Sequence, residues 1–344
     1  MGATASAMSA VILGTAALVG ARAGVIGGVS AAGAARTVRA AGAGTFAAAC
    51  ARSSRASTTT VRLTVGGALR TVVVHAPARR AGSPARPLAL NLHGSGSSPA
   101  GEEAFTDMDA TADAYGFVVA YPQGAIHTST LGVAGFDWNV PGEPLVGGTP
   151  VPRGTPDDVA FLTALPGRLA SRYCIDRSRV YVTGFSGGAR MASALACDAT
   201  SEFAAFAMVS GLQYPARCPS RTAVPILAFH GTADPVDPYD GRGGQRYWTS
   251  GVVDAAAAWA RHDGCRSTTV SRPEHDATLE RDGSCRPPGE VALYTLAGAG
   301  HTWPGGPRLS RLLRAYLGST SRDVDANALI WEFFATYRLD GGRG

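Results

Sequence analysis

The sequence predicts an α/β fold with a mostly parallel central sheet, and three observations lead to that prediction. The 344 residues suffice for one large domain, since 45% are apolar and 17% are charged, as in ordinary globular proteins. Short β-branched runs alternate with helical stretches, which is typical of strand–helix–strand units. No repeat and no Ser/Gly-rich linker divides the chain, so we expect a single domain.

The elements follow in order along the chain. Residues 59–65 and 68–75 are β-branched runs around Gly66-Gly67, which indicates a hairpin. Periodicity then predicts strands at 87–92, 117–121, 179–183, 203–209, 225–229 and 291–296, and helices at 102–115, 187–197, 247–262 and 324–337.

Residues 122–155 are rich in Gly, Pro and Thr without periodicity, so we expect a long loop that covers or borders a site. A helix should begin directly after it. Thr155 can cap that helix, while Asp157 and Asp158 suit the positive end of its dipole. Pro166 should kink the helix.

The charge is unevenly distributed along the chain. All 31 basic residues are arginine, and the first 101 residues hold ten of them with no acid. The remainder holds 21 arginines against 26 acids, so the folded part is acidic. A nucleic-acid partner would require a basic stripe on the folded domain, and we expect none.

The first 57 residues are interpreted as an export leader, with the catalytic domain over 58–344. Residues 9–21 form an apolar run of signal-peptide length, too short to span a membrane. We therefore expect secretion. Alternatively, Arg36 and Arg39 begin a second signal that ends in Ala47-Ala48-Ala49, which would place a cleavage site there or a lipid anchor on Cys50.

Six cysteines are present, and none has the spacing of a zinc site, so we expect no metal. In an exported protein the cysteines indicate disulfides. Cys265 and Cys285 flank a charged excursion and are the preferred pair, closing a loop worth about 3 kcal/mol on the chain-entropy account. One of Cys174, Cys197 and Cys218 is left over, and the sequence does not say which.

One motif carries the chemistry. Ser186 lies in Gly-Phe-Ser-Gly-Gly, directly between a β-branched strand and a helix-forming stretch. This Gly-x-Ser-x-Gly pattern is the nucleophile elbow, in which a serine occupies a strained strand-to-helix turn. Gly184 and Gly188 remove the Cβ atoms that would collide there. The helix N-terminus adds a positive dipole beside the hydroxyl.

A serine becomes nucleophilic only beside a base that an acid orients. Asp234 follows a predicted strand and is our acid, with Asp237 on the same loop as the fallback. His301 lies in a Gly-flanked loop after the last predicted strand and is our base. His230 and His93 are interpreted as residues that organise their loops.

An oxyanion hole requires backbone N–H donors. Gly187 should supply one. The second should come from the loop after the strand that ends at Leu92, and Ser95 is our choice, with Gly94 as its neighbour.

The motifs NLHGSGSS, DDVAFL, RVYVTGFSGGARMASALAC, FHGTADPVDPYDG, GHTWPGG and LIWEFF occur in this order. In this respect the chain resembles the secreted polyhydroxybutyrate depolymerase and feruloyl esterase family of α/β-hydrolases. The resemblance covers residues 87–334. It implies a serine carboxylesterase without a cofactor and with Ser186, Asp234 and His301 as triad. Many relatives carry an apolar residue where this chain has Arg190.

The resemblance implies substrates such as hydroxycinnamoyl or acetyl esters on polysaccharide, or short hydroxyalkanoate esters. Trp138, Trp303 and Tyr239 lie on predicted loops near the site and could stack on an acyl group or a sugar, or simply pack those loops. We expect a monomer that acts on a small or polymer-borne ester. Acyl transfer to a sugar or lipid alcohol and a non-catalytic binding module on this scaffold are the alternatives.

Overall fold

A computed structural model describes residues 48–130, 133–244 and 246–339. The strands are β1 (Ser57–Val65), β2 (Ala68–Ala76), β3 (Arg86–Leu92), β4 (Val118–Pro122), β5 (Ile126–Thr130), β6 (Val133–Asp137), β7 (Ile175–Phe185), β8 (Ala205–Val209), β9 (Pro225–Gly231), β10 (Ser267–Glu274), β11 (Ala277–Gly283) and β12 (Glu290–Leu296). The helices are α1 (Pro99–Thr106), α2 (Met108–Tyr115), α3 (Asp158–Tyr173), α4 (Gly187–Asp198), α5 (Val252–Asp263), α6 (Arg311–Leu317) and α7 (Ala326–Ala335).

Ten strands form one sheet in the order β1-β2-β4-β3-β7-β8-β9-β12-β11-β10. The six central strands, from β4 to β12, pair in parallel, and antiparallel strands extend both edges. The predicted α/β-hydrolase fold with a mostly parallel sheet is confirmed. Since the carboxyl ends of the parallel strands share one edge, the loops after β3, β7, β9 and β12 meet there.

Apolar side chains fill both faces of the sheet. On one face the core includes Phe161 of α3, Leu195 of α4 and Trp259 of α5. On the other face it includes Phe334 of α7 and Trp303. The central strands β3 and β9 are buried along their whole length, as expected where helices cover both faces.

Three local predictions were wrong. The stretch 102–115 is two helices, because Asp107 adopts a left-handed conformation, with a φ of 52°, between α1 and α2. Residues 122–155 contain the hairpin β5–β6 rather than an unstructured loop. The excursion between Cys265 and Cys285 is the edge hairpin β10–β11.

The start of α3 also differs from the prediction. Asp157 is the cap, accepting a hydrogen bond from the Ala160 N–H at 3.0 Å, so Thr155 is not the cap. Asp158 is fully buried and ion-paired with Arg70, and it also accepts from the Asn139 N–H at 2.8 Å. Its role is therefore to tie the loop before α3 to β2.

All six cysteines form disulfides: Cys50–Cys174, Cys197–Cys218 and Cys265–Cys285. Cys265 is thus bonded to the partner favoured by the sequence. The expectation of a leftover cysteine was wrong, because Cys50 completes the set. A lipid anchor on Cys50 is incompatible with this bond, since the anchor would occupy the same sulfur.

The segment around Cys50 belongs to the fold. Arg79 donates to the Cys50 carbonyl oxygen at 2.7 Å, and Ser54 forms a bridge with Arg79. These contacts tie residues 50–54 to the loop after β2. The apolar run 9–21 lies outside the described residues. Among the helices of the described ranges, none combines the length and apolar character needed to cross a membrane.

Candidate active site

The junction between β7 and α4 holds a strained serine. Ser186 has φ 53° and ψ −115°, and its side chain makes no capping hydrogen bond to α4. A Cβ on Gly184 would lie 2.7 Å from the Gly188 carbonyl carbon, and one on Gly188 would collide with the Leu92 carbonyl oxygen. Only glycine fits at these two positions, as an elbow requires.

A buried histidine–aspartate pair lies at the same edge of the sheet. Asp234 follows β9 and His301 follows β12, and the His301 Nδ1 lies 2.8 Å from Asp234 Oδ2. Their side chains are at most 1% exposed. Because a carboxylate only accepts hydrogen bonds, Nδ1 carries the proton and Nε2 has a free lone pair.

The two groups shift each other's pKa. Burial opposes the charge on Asp234, but His301 lowers the pKa of Asp234 below its ordinary value. Burial also opposes the charge on His301 and so lowers its pKa. The charge of Asp234 and its hydrogen bond raise the pKa, and together they outweigh burial, so that the pKa of His301 lies above the ordinary 6.5. The pair thus stabilises a protonated imidazole, as a general base requires after it accepts a proton.

The segments that carry the serine and the histidine are neighbours. The rings of Phe185 and His301 lie 4.8 Å apart, between centroids, and Phe185 directly precedes Ser186. The end of β8 and the residue after it contact both segments. The Ser186 N–H donates to the carbonyl oxygen of Val209 at 2.9 Å, and the Ser210 hydroxyl donates to the carbonyl oxygen of Thr302 at 3.4 Å. Buried His301 Nε2 makes no hydrogen bond within the described part of the chain. Catalytic hydrogen bonds often form only once substrate is bound.

Asp237 and His230 surround this pair. The Asp237 N–H donates to Asp234 Oδ1 at 2.8 Å, and His230 Nε2 donates to the Asp237 carbonyl oxygen at the same distance. Burial raises the pKa of Asp237 to about 6, against the opposing charges of His301 and Arg190. His230 organises the acid loop, while Asp234 and not Asp237 bonds to the imidazole.

The loop after β3 lies against the start of α4. A Cβ on Gly187 would lie 2.9 Å from the Ser95 backbone nitrogen, so Ser95 lies directly against Gly187. Gly96 N–H donates to Asp137 Oδ1 at 2.8 Å and also to the Phe136 carbonyl oxygen. Strand β6, which the sequence analysis missed, therefore supports this loop.

His93 fixes the other end of the loop. The ring is fully buried, with Nδ1 donating to the Gly94 carbonyl oxygen at 2.9 Å and Nε2 accepting from the Gly124 N–H at 3.0 Å. Burial lowers its pKa to about 4, so the ring is neutral at pH 7. A neutral ring that donates on one side and accepts on the other holds the loop in one conformation.

A narrow cleft opens beside Gly187 and has a free volume of about 10 Å³. Such a space holds about one water molecule. Its lining combines the two adjacent N–H segments with apolar side chains from the loop after β6, and comprises Ser95, Asp137, Trp138, Val140, Pro144, Leu145, Val146, Gly187 and Arg190. Arg190 and Asp137 were not identified as site residues from the sequence.

The three aromatic residues predicted to contact substrate lie in different environments. Trp138 lines the cleft, although its indole also stacks on His93 and donates to the His93 carbonyl oxygen at 2.8 Å. Trp303 is 1% exposed and donates to Asn327 at 3.0 Å in the core, so its predicted substrate contact is wrong. Tyr239 is half-buried, and its hydroxyl is bonded to that of Thr295 on β12, which makes it a packing residue.

Comparisons with known proteins identify the family of this chain. A family model described as Esterase PHB depolymerase matches residues 78–250. The chain is 32% identical over 291 residues to a protein named as the esterase NocK of Nocardia uniformis subsp. tsuyamanensis, covering 78% of this chain and 80% of that protein.

Two further relatives carry names that mention acetylxylan. The bifunctional acetylxylan esterase/xylanase XynS20E of Neocallimastix patriciarum is 27% identical over 275 residues, covering 80% of this chain but 34% of that protein. Among solved structures, the acetyl xylan esterase from Aspergillus awamori is similar in fold, with a TM-score of 0.51 at 18% identity, covering 76% of this chain and 99% of that one.

Proposed function

Since this chain belongs to the PHB depolymerase family of esterases and is a carboxylic ester hydrolase, we propose that it is a secreted serine esterase specific for short acyl groups, acetyl esters of polysaccharide foremost. The observation that carries the mechanism is a strained serine whose preceding residue packs against a buried histidine, with the Nε2 of that histidine making no hydrogen bond to any described residue.

In the proposed mechanism, Ser186 Oγ attacks the ester carbonyl carbon while His301 Nε2 takes the hydroxyl proton. Asp234 stabilises the imidazolium through the Nδ1 hydrogen bond. The N–H groups of Gly187 and Ser95 hold the oxyanion. The C–O bond of the ester then breaks, and His301 returns the proton to the departing alcohol. Water, deprotonated by His301, repeats the path and releases the acid.

The size of the cleft supports a short acyl group. A free volume of about 10 Å³ beside Gly187 leaves no room for a phenyl ring unless the loop of Pro144 and Leu145 moves. An acetyl group has one methyl beyond its carbonyl and requires a smaller displacement of this loop. A hydroxycinnamoyl ester could bind only after a larger movement of this loop. Moving the loop is unfavourable, so the longer acyl group should bind less well than acetyl.

Secretion is supported by the disulfides and by the leader-like residues 9–21. All six cysteines are paired, which is typical of proteins that fold outside the reducing cytosol.

The test compares purified protein with its Ser186→Ala variant on p-nitrophenyl acetate, p-nitrophenyl ferulate, acetylated xylan and hydroxybutyrate oligomers. We expect kcat/KM to be at least about tenfold higher for p-nitrophenyl acetate than for p-nitrophenyl ferulate, which has the same leaving group, because the cleft is narrow. The Ser186→Ala variant should lose about 10⁴-fold in kcat. A higher rate on p-nitrophenyl ferulate would contradict the short-acyl assignment, and inactivity on all four esters would contradict the proposed function.

A further inference from the structure

Arg190 is a buried arginine one turn into α4, directly after the elbow. It is 4% exposed, and its guanidinium has three partners. One terminal nitrogen donates to Glu143 Oε2 at 2.9 Å and the other donates to Ser95 Oγ at 3.2 Å. The guanidinium carbon lies 4.2 Å from the centre of the Tyr247 ring.

This cation is held by compensating charges. Burial alone would lower the pKa of Arg190, but Glu143, Asp237 and Tyr247 together raise it above its ordinary value. A buried charge is costly unless it is paired and hydrogen-bonded. Arg190 is paired and hydrogen-bonded, so its guanidinium is held in one position where it lines the cleft.

The partners of Arg190 are parts of the proposed site. Ser95 supplies a proposed oxyanion donor and lies against Gly187, which supplies the other. Glu143 directly precedes Pro144 and Leu145, which line the same cleft. A single guanidinium therefore connects the donor loop after β3, the cleft loop after β6 and helix α4.

We propose that Arg190 is a positioning residue, which holds Ser95 so that its backbone N–H points at the developing oxyanion and which anchors the cleft loop through Glu143. This inference rests on the proposed function. Arg190 touches no reacting atom in this mechanism. Because oxyanion donors act only when they are fixed before the reaction, a loosened Ser95 should weaken transition-state binding more than substrate binding.

The test replaces Arg190 with Met, which keeps an unbranched apolar stem and removes the donors. On p-nitrophenyl acetate we expect kcat per active site to fall about 10- to 100-fold while KM changes less than about threefold. Inhibition by a boronic acid, which mimics the tetrahedral intermediate, should weaken in proportion to kcat. Arg190→Lys should restore part of the activity, because an ammonium can donate to Ser95 or Glu143 but lacks the planar fork.

Active-site titration corrects each rate for protein that has not folded. Arg177→Met is the matched control, since Arg177 forms an ion pair with Glu202 at 3.1 Å but is 60% exposed. Its kcat should stay within about twofold of wild type. If Arg190→Met does not fold, Glu143→Gln takes its place, because it keeps the cation and weakens its anchor; kcat should then fall by a smaller factor.

The proposal is overturned if Arg190→Met, or Glu143→Gln in its place, retains both kcat per active site and boronic acid affinity. An increase in KM alone would also overturn it, because Arg190 would then act on substrate binding only. These results are distinguishable from failure of the proposed function, in which the wild-type protein itself would hydrolyse none of the esters.

Discussion

His301 donates its Nδ1 proton to Asp234 across 2.8 Å, and both side chains are almost fully buried. The bond fixes the tautomer in which Nε2 can accept a proton. The partners come from loops 67 residues apart in the chain, after β9 and β12, which pair in parallel in the sheet.

Removing the carboxylate should disable the base. We expect Asp234→Asn to lower kcat roughly 10³- to 10⁴-fold, because the amide can donate to Nδ1 and then favours the wrong tautomer. The measurement is kcat on p-nitrophenyl acetate at pH 8. A loss smaller than tenfold would mean that Asp234 does not orient the imidazole.

The acid limb of the pH–rate profile should report His301. Activity requires the neutral ring, and the pKa of His301 is raised above 6.5 chiefly by Asp234. A base with a raised pKa stays protonated to higher pH, so kcat/KM should fall as the pH decreases through a value above 6.5. An acid limb with a midpoint below 6 would contradict this.

The charge of Asp237 also raises the pKa of His301. Asp237→Asn should therefore move the acid limb of kcat/KM to lower pH. Asp240→Asn is the matched control, because Asp240 lies on the same loop but its side chain is 60% exposed. A shift with Asp240→Asn as large as that with Asp237→Asn would show that the effect is not specific to the buried acid.

The oxyanion donor at Ser95 can be tested by removing its hydrogen. Ser95→Pro lacks the N–H, and we expect kcat to fall about 10²- to 10³-fold. Ser95→Ala keeps the N–H but loses the contact with Arg190, so its loss should be smaller. Equal losses in the two variants would argue that the hydroxyl, and not the backbone N–H, is what matters.

The Cys50–Cys174 bond should stabilise more than Cys265–Cys285. It closes a loop of 124 residues against 20. On the chain-entropy account the two bonds contribute about 4.7 and about 3 kcal/mol, respectively. Double Cys→Ala variants of each pair, unfolded in guanidinium chloride, measure the difference. A larger loss for the Cys265–Cys285 pair would show that native-state contacts outweigh loop entropy.

The central strands and the strand-to-helix turn at Ser186 were predictable from the sequence because their signals are local. Buried β-branched runs mark the parallel strands, and the glycines around Ser186 mark the turn. The edge hairpin β10–β11 was not predictable in this way. Strand β10 is exposed along its whole length and carries no apolar alternation, so its composition is that of a loop.

Contacts between segments that are distant in the chain were also not predictable from the sequence. The partner of Cys50 is 124 residues away, and no spacing rule selects it. Arg190 has the sequence context of an ordinary helix residue, and only the fold brings Glu143 and Ser95 to its guanidinium. Trp303 lies two residues after His301 in the sequence, but its indole is buried in the core and donates to Asn327, a contact that the sequence does not indicate.

The central claim is that Ser186 is a nucleophile activated by His301, and covalent labelling tests it most directly. The protein is treated with a fluorophosphonate, and the modified peptide is identified by mass spectrometry. The account predicts one adduct, on Ser186, with labelling strongly slowed in His301→Ala. An adduct on a different serine, or an unlabelled Ser186 in protein that still hydrolyses esters, would contradict it.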